Sequence, residues 1–425
     1  MNAPSNYSGT THQLSVASKR TLKKRKLRRW LGWGFVGSLA LVIALWVAVH
    51  QIPWMGPLVA NSLRAVIGAE AVTWLEDTAY AIEDRFNRVW KKNEKPKAYW
   101  DVKTAKKALN KTPKAPAPAA AAGPPPLPEF ALKDVGPVHK AWEAPGDGQW
   151  LPIVDSRRPN DEVRLLKTLL HPDKHRSWAD LFVVAVDLRR VAVHPMAGYQ
   201  EPKSDKPEAA AYKRKAKIPE SDHADLLAAF NGGFMTEHGH YGMRLDGITF
   251  VDPKDKACTL VQYKDDSLGI GPWTALKARE SEMLWYRQAP NCMYVDGEMH
   301  PLLQAANVRH WGATLDGDTV IRRSAVGMGP DRNTLYVGIS NHTNAKVMAE
   351  GMRHAGATTV AQLDVNWSYP KFVLYEPKGK DGQLIAVALA EGFEFSEDEY
   401  IRNRAMRDFF YLTRKRAPQA QPEKL

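Results

Sequence analysis

Phe230-Asn231-Gly232-Gly233-Phe234 places two glycines and an amide side chain directly after an apolar run of strand length. Glycine there permits positive φ and removes the Cβ that would keep a ligand from backbone N–H groups. An isolated Asn-Gly-Gly is more often a tight turn, so the residues around it decide. Farther on, Arg323-Ser324-Ala325-Val326-Gly327 offers a guanidinium, whose planar fork matches a phosphate bidentately. Leu363-Asp364-Val365-Asn366-Trp367-Ser368 then sets a carboxylate at the end of another apolar run. Trp367 could stack on a sugar ring while Asn366 supplies hydrogen bonds. Glu237, Asp246, Asp296 and Glu298 are further carboxylates near predicted strand ends, where paired acid–base chemistry would need two flanking the reacting bond. Asp246 and Asp296 each precede glycine, where turn formation is the stronger reading. His238 and His240 flank Gly239, with His223 upstream. On a strand such a pair would point one way and could hold a divalent metal, but loop histidines in solvent are the simpler reading, and no cofactor is expected.

The order and spacing of these segments resemble the phosphodiester glycosidase family, over roughly residues 180 to 375. Asn231-Gly232-Gly233-Phe234 comes first, then Gly242 with Arg244. Arg323 resembles the arginine of the family's Arg-Thr-Ala-x-Gly motif, with Ser324 in place of threonine. Asp364 and Ser368 match the family's Leu-Asp-Gly-Gly-Gly-Ser loop, whereas Val365, Asn366 and Trp367 replace its three glycines. The resemblance implies hydrolysis of a sugar-1-phosphodiester or a related envelope glycan bond. In that reading Asp364, with Glu237 or Asp246, handles the anomeric centre or the attacking water. Arg323 and Arg244 hold the phosphate. Asn231, Gly232 and Gly233 supply donors, and Asn366, Trp367 and Ser368 contact the substrate. Phosphate is already a good leaving group, so charge stabilisation by arginine gains weight over a strong general acid. The altered loop also fits a second class, a non-catalytic glycan-binding or polysaccharide-assembly module of the same fold.

The elements that must position these residues read mostly as strands. Leu181 to Val186 is a short continuous apolar run, followed by a turn and Val191 to Val193. Further strands are predicted at 226–230, 247–251, 259–263, 293–295, 319–322 and 334–339. The pairs Asp246-Gly247, Asp296-Gly297 and Asp316-Gly317 suit tight hairpins. Asn344 to Ala355 carries Val347, Met348, Gly351, Met352 and Ala355 on one helical face, with Gly356 as a stop. Strand, helix and a strand at 359–363 make a βαβ unit. The expected fold class is α+β, a strand-rich mixed-sheet domain with one βαβ unit.

The formal charge of +12 is concentrated outside this domain, in a block from Lys19 to Arg29 and in lysines between Lys91 and Lys114. A nucleic-acid groove is therefore not expected. Trp30 to Val49 contains no charged residue and has the length of a bilayer-spanning helix, with tryptophans near both ends. The preceding basic block puts the N-terminus in the cytoplasm and the rest in the periplasm or outside the cell. A cleaved signal peptide is the rival reading. The expected organisation is a basic tail (1–29), a membrane span (30–50), a juxtamembrane helical segment that lies on the membrane or docks on the domain (51–101), a Lys/Ala/Pro linker (102–130), the glycosidase-like domain (131–395), and a C-terminal helix with a disordered tail (396–425). The linker is expected to hold the domain away from the membrane. Cys258 and Cys292 either form one disulfide or remain two buried thiols.

Overall fold

The computed structural model describes residues 69–103, 105, 127–305, 308–312, 319–366, 368–379 and 381–415, with scattered helical positions between 33 and 44. The span predicted over 30–50 otherwise lies outside the described residues, as do most of the 102–130 linker, Asp316-Gly317 and Trp367. Among the described residues no helix is long and apolar enough to cross a membrane.

Strands β1 (Leu151–Pro152), β2 (Leu165–Leu170), β3 (Leu181–Asp187), β4 (Val191–Met196), β5 (Leu226–Asn231) and β6 (Met243–Leu245) come first. They are followed by β7 (Ile248–Val251), β8 (Cys258–Tyr263), β9 (Leu268–Pro272), β10 (Met283–Ala289), β11 (Tyr294–Val295) and β12 (Glu298–Met299). The last are β13 (Ile321–Met328), β14 (Thr334–Thr343), β15 (Thr359–Val365), β16 (Phe372–Lys378), β17 (Gln383–Ala388) and β18 (Phe409–Arg414). They form an eight-stranded sheet in the order β1-β2-β3-β14-β13-β15-β11-β12 and two five-stranded sheets, β7-β6-β10-β8-β9 and β17-β16-β5-β18-β4. Two helices matter here, α1 (Ala69–Trp90) and α2 (Ala345–Ala355). The fold is a strand-rich α+β structure.

β3 shows why its apolar run is unbroken. Phe182, Val184 and Val186 face the core shared by the three sheets, while Leu181, Val183 and Ala185 face α2. A strand covered on both sides needs no polar alternation. α2 begins at Asn344, whose Oδ1 accepts from the Val347 N–H at 2.9 Å. It ends at Gly356, where φ is +120°. It buries Ala345, Met348, Ala349, Met352 and Ala355 against the sheet. Gly351 allows the approach, because a Cβ there would lie 2.3 Å from Leu181. β14 and β15 are both antiparallel to β13 between them, so the predicted βαβ unit forms with one strand interposed. The Asp246-Gly247 and Asp296-Gly297 turns close the β6–β7 and β11–β12 hairpins, each aspartate having positive φ.

Three expectations are corrected. The C-terminal helix expected within 396–425 is not found among the described residues: β18 lies in the interior of its sheet, between β5 and β4, and Phe409 to Leu412 are buried, while the expected tail from 416 on lies outside the described residues. The domain therefore continues to Arg414. The expected strand at 319–322 begins at Ile321 and runs to Met328. Third, residues 69–101 dock on the domain, one of the two arrangements expected for the 51–101 segment, so the linker does not hold the domain away from them; Ala69–Leu425 form one unit. Asp84 of α1 pairs with both Arg176 Nε and Nη2 at 2.6 Å. Tyr99 and Trp100 pack edge-on against Phe182, with ring centroids 4.8 and 5.8 Å away.

Tyr99 also joins a buried polar relay. Its hydroxyl donates to Asp180 Oδ2 at 2.7 Å, and His171 lies between Asp180 at 3.0 Å and Asp147 at 2.8 Å. Burial alone would lower the His171 pKa, but the hydrogen bonds it donates to both carboxylates overcome it and raise the pKa to about 9. A raised histidine stabilises the fold fully below its unfolded value near 6.5, and loses that contribution as pH rises through 9. Unfolding free energy is expected to fall between pH 6.5 and 9 by about 2–3 kcal/mol, and His171→Gln should flatten that slope in denaturant titrations.

Cys258 and Cys292 form a disulfide that ties the start of β8 to the chain entering β11. The bridge closes a loop of 34 residues, so the Cys258→Ser/Cys292→Ser protein should lose about 2–4 kcal/mol, read as a lower denaturant midpoint.

Candidate functional site

The Asn231-Gly232-Gly233 bend, Ser324 and Asp364 meet where segments β5, β13 and β15 come together. Asn231 Nδ2 donates to Ser324 Oγ at 2.8 Å, and Ser324 Oγ donates to the Asp364 carbonyl at 2.9 Å. The Asp364 N–H returns to the Gly232 carbonyl at 3.2 Å. Asn231 Oδ1 accepts from the Lys371 N–H at 3.1 Å. Asn231, Ser324 and Asp364 are all buried. Three segments distant in the chain are thus fastened by one polar web, of the kind a low-dielectric interior makes rigid when every member is satisfied.

The Asp364 carboxylate is 1% exposed, accepts from the Val365 N–H at 2.9 Å and is ion-paired with Arg407. Burial raises its pKa, while Arg407 and the nearby His238 imidazole pull the other way. The Arg407 guanidinium stacks 4.6 Å over the Tyr369 ring. Tyr369 donates to the Asp408 carbonyl at 2.6 Å, and burial raises its hydroxyl well above its usual range. Arg407 is partly exposed, as are Asn366, Ser368 and Tyr369, so this end of the web reaches solvent.

A second buried pair lies directly beneath the glycines. Arg287 Nε and Nη2 grip the Asp408 carboxylate at 2.8 and 3.1 Å. The remaining Arg287 contacts reach the carbonyls of Phe234 at 2.7 Å, Gln288 at 3.0 Å and Tyr241 at 3.3 Å. Asp408 in turn takes the Gly232 N–H on its carbonyl at 2.9 Å and the Gly233 N–H on Oδ2 at 3.0 Å. A Cβ on Gly232 would lie 2.2 Å from Asp408 Oδ2, and one on Gly233 would lie 2.8 Å from Arg287 Cζ. The glycines make room for this ion pair. Their amides serve Asp408, which corrects the expectation that they supply donors to a ligand.

Both predicted phosphate ligands turn away from Asp364. Arg323 is 1% exposed and donates to the carbonyls of Thr343, Trp311 and Thr319 and to Gln362 Oε1. Successive residues of a strand face opposite ways, so Ser324 faces Asn231 while Arg323 points to the α2 side. Arg244 pairs across the strands with Tyr286, on the opposite face of its sheet from Arg287 and Met243. The guanidinium beside Asp364 is that of Arg407, and the one beneath the glycines, Arg287, is wholly engaged within the protein.

The other candidates separate in the same way. Asp246 sits at the β6–β7 hairpin tip with its carboxylate taken by the Tyr212 hydroxyl at 2.7 Å, a turn former and not an acid at the web. Glu237 lies in a short helical turn after the bend, within 3.1 Å of Lys203 Nζ and 3.9 Å of His238 Nε2. That turn is pinned from below by buried Glu201, which accepts from the Thr236 N–H and hydroxyl at 3.0 Å. Asn366 Oδ1 accepts from the Ser368 N–H at 3.1 Å, capping the turn after β15. His238 and His240 flank the turn at Gly239 and are not on a strand. Among the described residues no group of three or more His, Cys, Asp or Glu side chains is arranged to hold a metal ion.

No family model matches the chain, and no curated protein matches it. Solved structures do resemble it. The zebrafish N-acetylglucosamine-1-phosphodiester alpha-N-acetylglucosaminidase catalytic domain, auto-inhibited by its pro-peptide, is 16% identical, with a TM-score of 0.39 over 63% of this chain and 88% of that one. A hypothetical protein from Synechocystis is 10% identical, with a TM-score of 0.34 over 59% of this chain and 62% of that one. Likeness at this level carries no statement about activity.

Arg407, Asp408, Arg287, Tyr369 and Glu201 were not among the sequence candidates. A signal for the first two existed. Phe409-Phe410-Tyr411-Leu412 is an apolar run of strand-forming residues, and a strand there puts Arg407 and Asp408 at a strand end.

Proposed function

We propose that this domain hydrolyses a sugar-1-phosphodiester or a related envelope glycan bond, with Asp364 as its acid–base group and Arg407 as its phosphate-facing cation. One observation carries the reading: a buried carboxyl with a raised pKa, paired to a partly exposed arginine, ends β15 where Asn231 and Ser324 lock the strands together. A buried carboxyl whose pKa is raised can exchange a proton with water or a leaving oxygen. Arg407 would move its charge onto the departing phosphate, leaving Asp364 free to act. Glu237, next to His238, is the second carboxylate in this scheme.

The reading includes a membrane anchor at residues 30–50 and an extracytoplasmic domain. The uncharged run, the basic block before it and the Cys258–Cys292 disulfide support that placement, since disulfides persist in oxidising compartments. A non-catalytic glycan-binding or polysaccharide-assembly role is the second reading. Both oxygens of Asp364 are engaged and almost no surface is exposed, as in a purely structural ion pair.

The test is a panel of sugar-1-phosphodiesters incubated with the full chain and with Asp364→Asn, scoring released phosphomonoester. Release by the native chain alone supports hydrolysis. Glycan binding without release by either protein supports the second reading.

A further inference from the structure

α1 has two unlike faces. Leu75, Ile82, Phe86, Val89 and Trp90 recur at helical spacing and are 45%, 61%, 63%, 80% and 78% exposed. Phe86 and Trp90 stack on each other, with ring centroids 5.9 Å apart, and not on the domain. The opposite face carries Asp84, bound to Arg176 in the body of the fold. Glu83 lies beside it, 4.0 Å from His342. An amphipathic helix ordinarily buries its apolar stripe against the core. Here the polar face is docked and the apolar face is turned outward.

We propose that this outward stripe lies in the interfacial layer of a lipid bilayer, so that α1 seats the domain directly on the membrane surface. Three observations favour lipid over another occupant. Arg85, Arg88 and Lys92 are exposed along one flank of the stripe, where they complement anionic headgroups. Trp90 ends the stripe, and tryptophan favours the boundary between apolar and wet layers. The uncharged Trp30–Val49 run precedes α1 in the chain with only residues 50–68 between, so any bilayer it enters is within reach. The proposal shares the membrane setting of the proposed function but uses different residues.

Phe86→Cys in the full chain, labelled with an environment-sensitive fluorophore in vesicles containing about one-third anionic lipid, tests it; Asp381→Cys on the exposed β16–β17 turn is the control. Cys258 and Cys292 are paired and do not compete for the label. The label at 86 should shift to shorter wavelength and lose at least half its emission to bromine-labelled lipid, while the control does neither. Equal, water-like emission at both positions overturns the proposal. Before labelling, disulfide crosslinking of two Phe86→Cys chains through the introduced thiols, persisting without lipid, also overturns it, in favour of a second copy. If the 30–50 segment resists alkaline extraction while the label at 86 stays in water, only the α1 proposal fails. If the label at 86 enters lipid although that segment is extracted, only the anchor fails.

Discussion

Asp408→Ala is expected to cost about 3–5 kcal/mol of unfolding free energy, the loss typical of a buried ion pair stripped of one partner. Arg287 and Asp408 side chains are each 2% exposed, so neither charge can recover solvent when the other is removed. Every nitrogen of the Arg287 guanidinium is engaged, and two of them bind Asp408. The Gly233 N–H loses its acceptor as well. A domain of ordinary stability, on the order of 5–15 kcal/mol, would lose about a fifth or more. Denaturant midpoints for the single variants and for Arg287→Met/Asp408→Leu close the cycle. The double variant should recover much of the loss, because removing both charges leaves no uncompensated ion. A single-variant cost below about 1 kcal/mol would mean that the glycines are not there to accommodate this pair.

Asp364→Asn should lower kcat by about 10²–10⁴-fold if the carboxyl exchanges a proton in the rate-limiting step. The substitution keeps size and shape but leaves Arg407 without its counter-charge, so some stability is lost too. Activity and stability must therefore be separated. Adding Arg407→Gln to Asp364→Asn removes the orphaned charge and should restore stability. Under the proposed chemistry activity stays absent in that double variant. If activity returns with stability, the pair is structural and the catalytic roles assigned to Asp364 and Arg407 are wrong. Arg407→Lys gives a third readout. A point charge in place of the fork should raise KM for a phosphodiester more than it lowers kcat.

Much of the scaffold was legible because its signals are local. Leu181–Val186, the Asp-Gly hairpins and the Asn344–Gly356 helix each declare themselves within a few residues. Motif order implied that the Asn231 bend, Arg323 and Asp364 meet; Asn231 and Asp364 do, joined through Ser324, whereas Arg323 turns away. The arginines were less accessible to such reasoning. Strand alternation sends Arg323 toward α2 and Ser324 toward Asn231, and which of the two faces the site depends on the register of β13, which the motif itself does not state. The reason for Gly232 and Gly233 is a carboxylate 175 residues away from Gly233. Reading 396–425 as helix and tail concealed that partner.

The 102–130 stretch leaves the body just after Trp100, which packs on Phe182, and re-enters it at buried Phe130. Both of its ends are thus fixed to the same structure. A protease that nicks among its lysines would sever the polypeptide without releasing the domain. The two fragments stay joined through Asp84–Arg176, the Tyr99–Asp180 bond and the Lys97–Glu391 pair. Under the proposed anchor at residues 30–50, separating the domain from that anchor would instead require a cut between residues 50 and 68, ahead of α1.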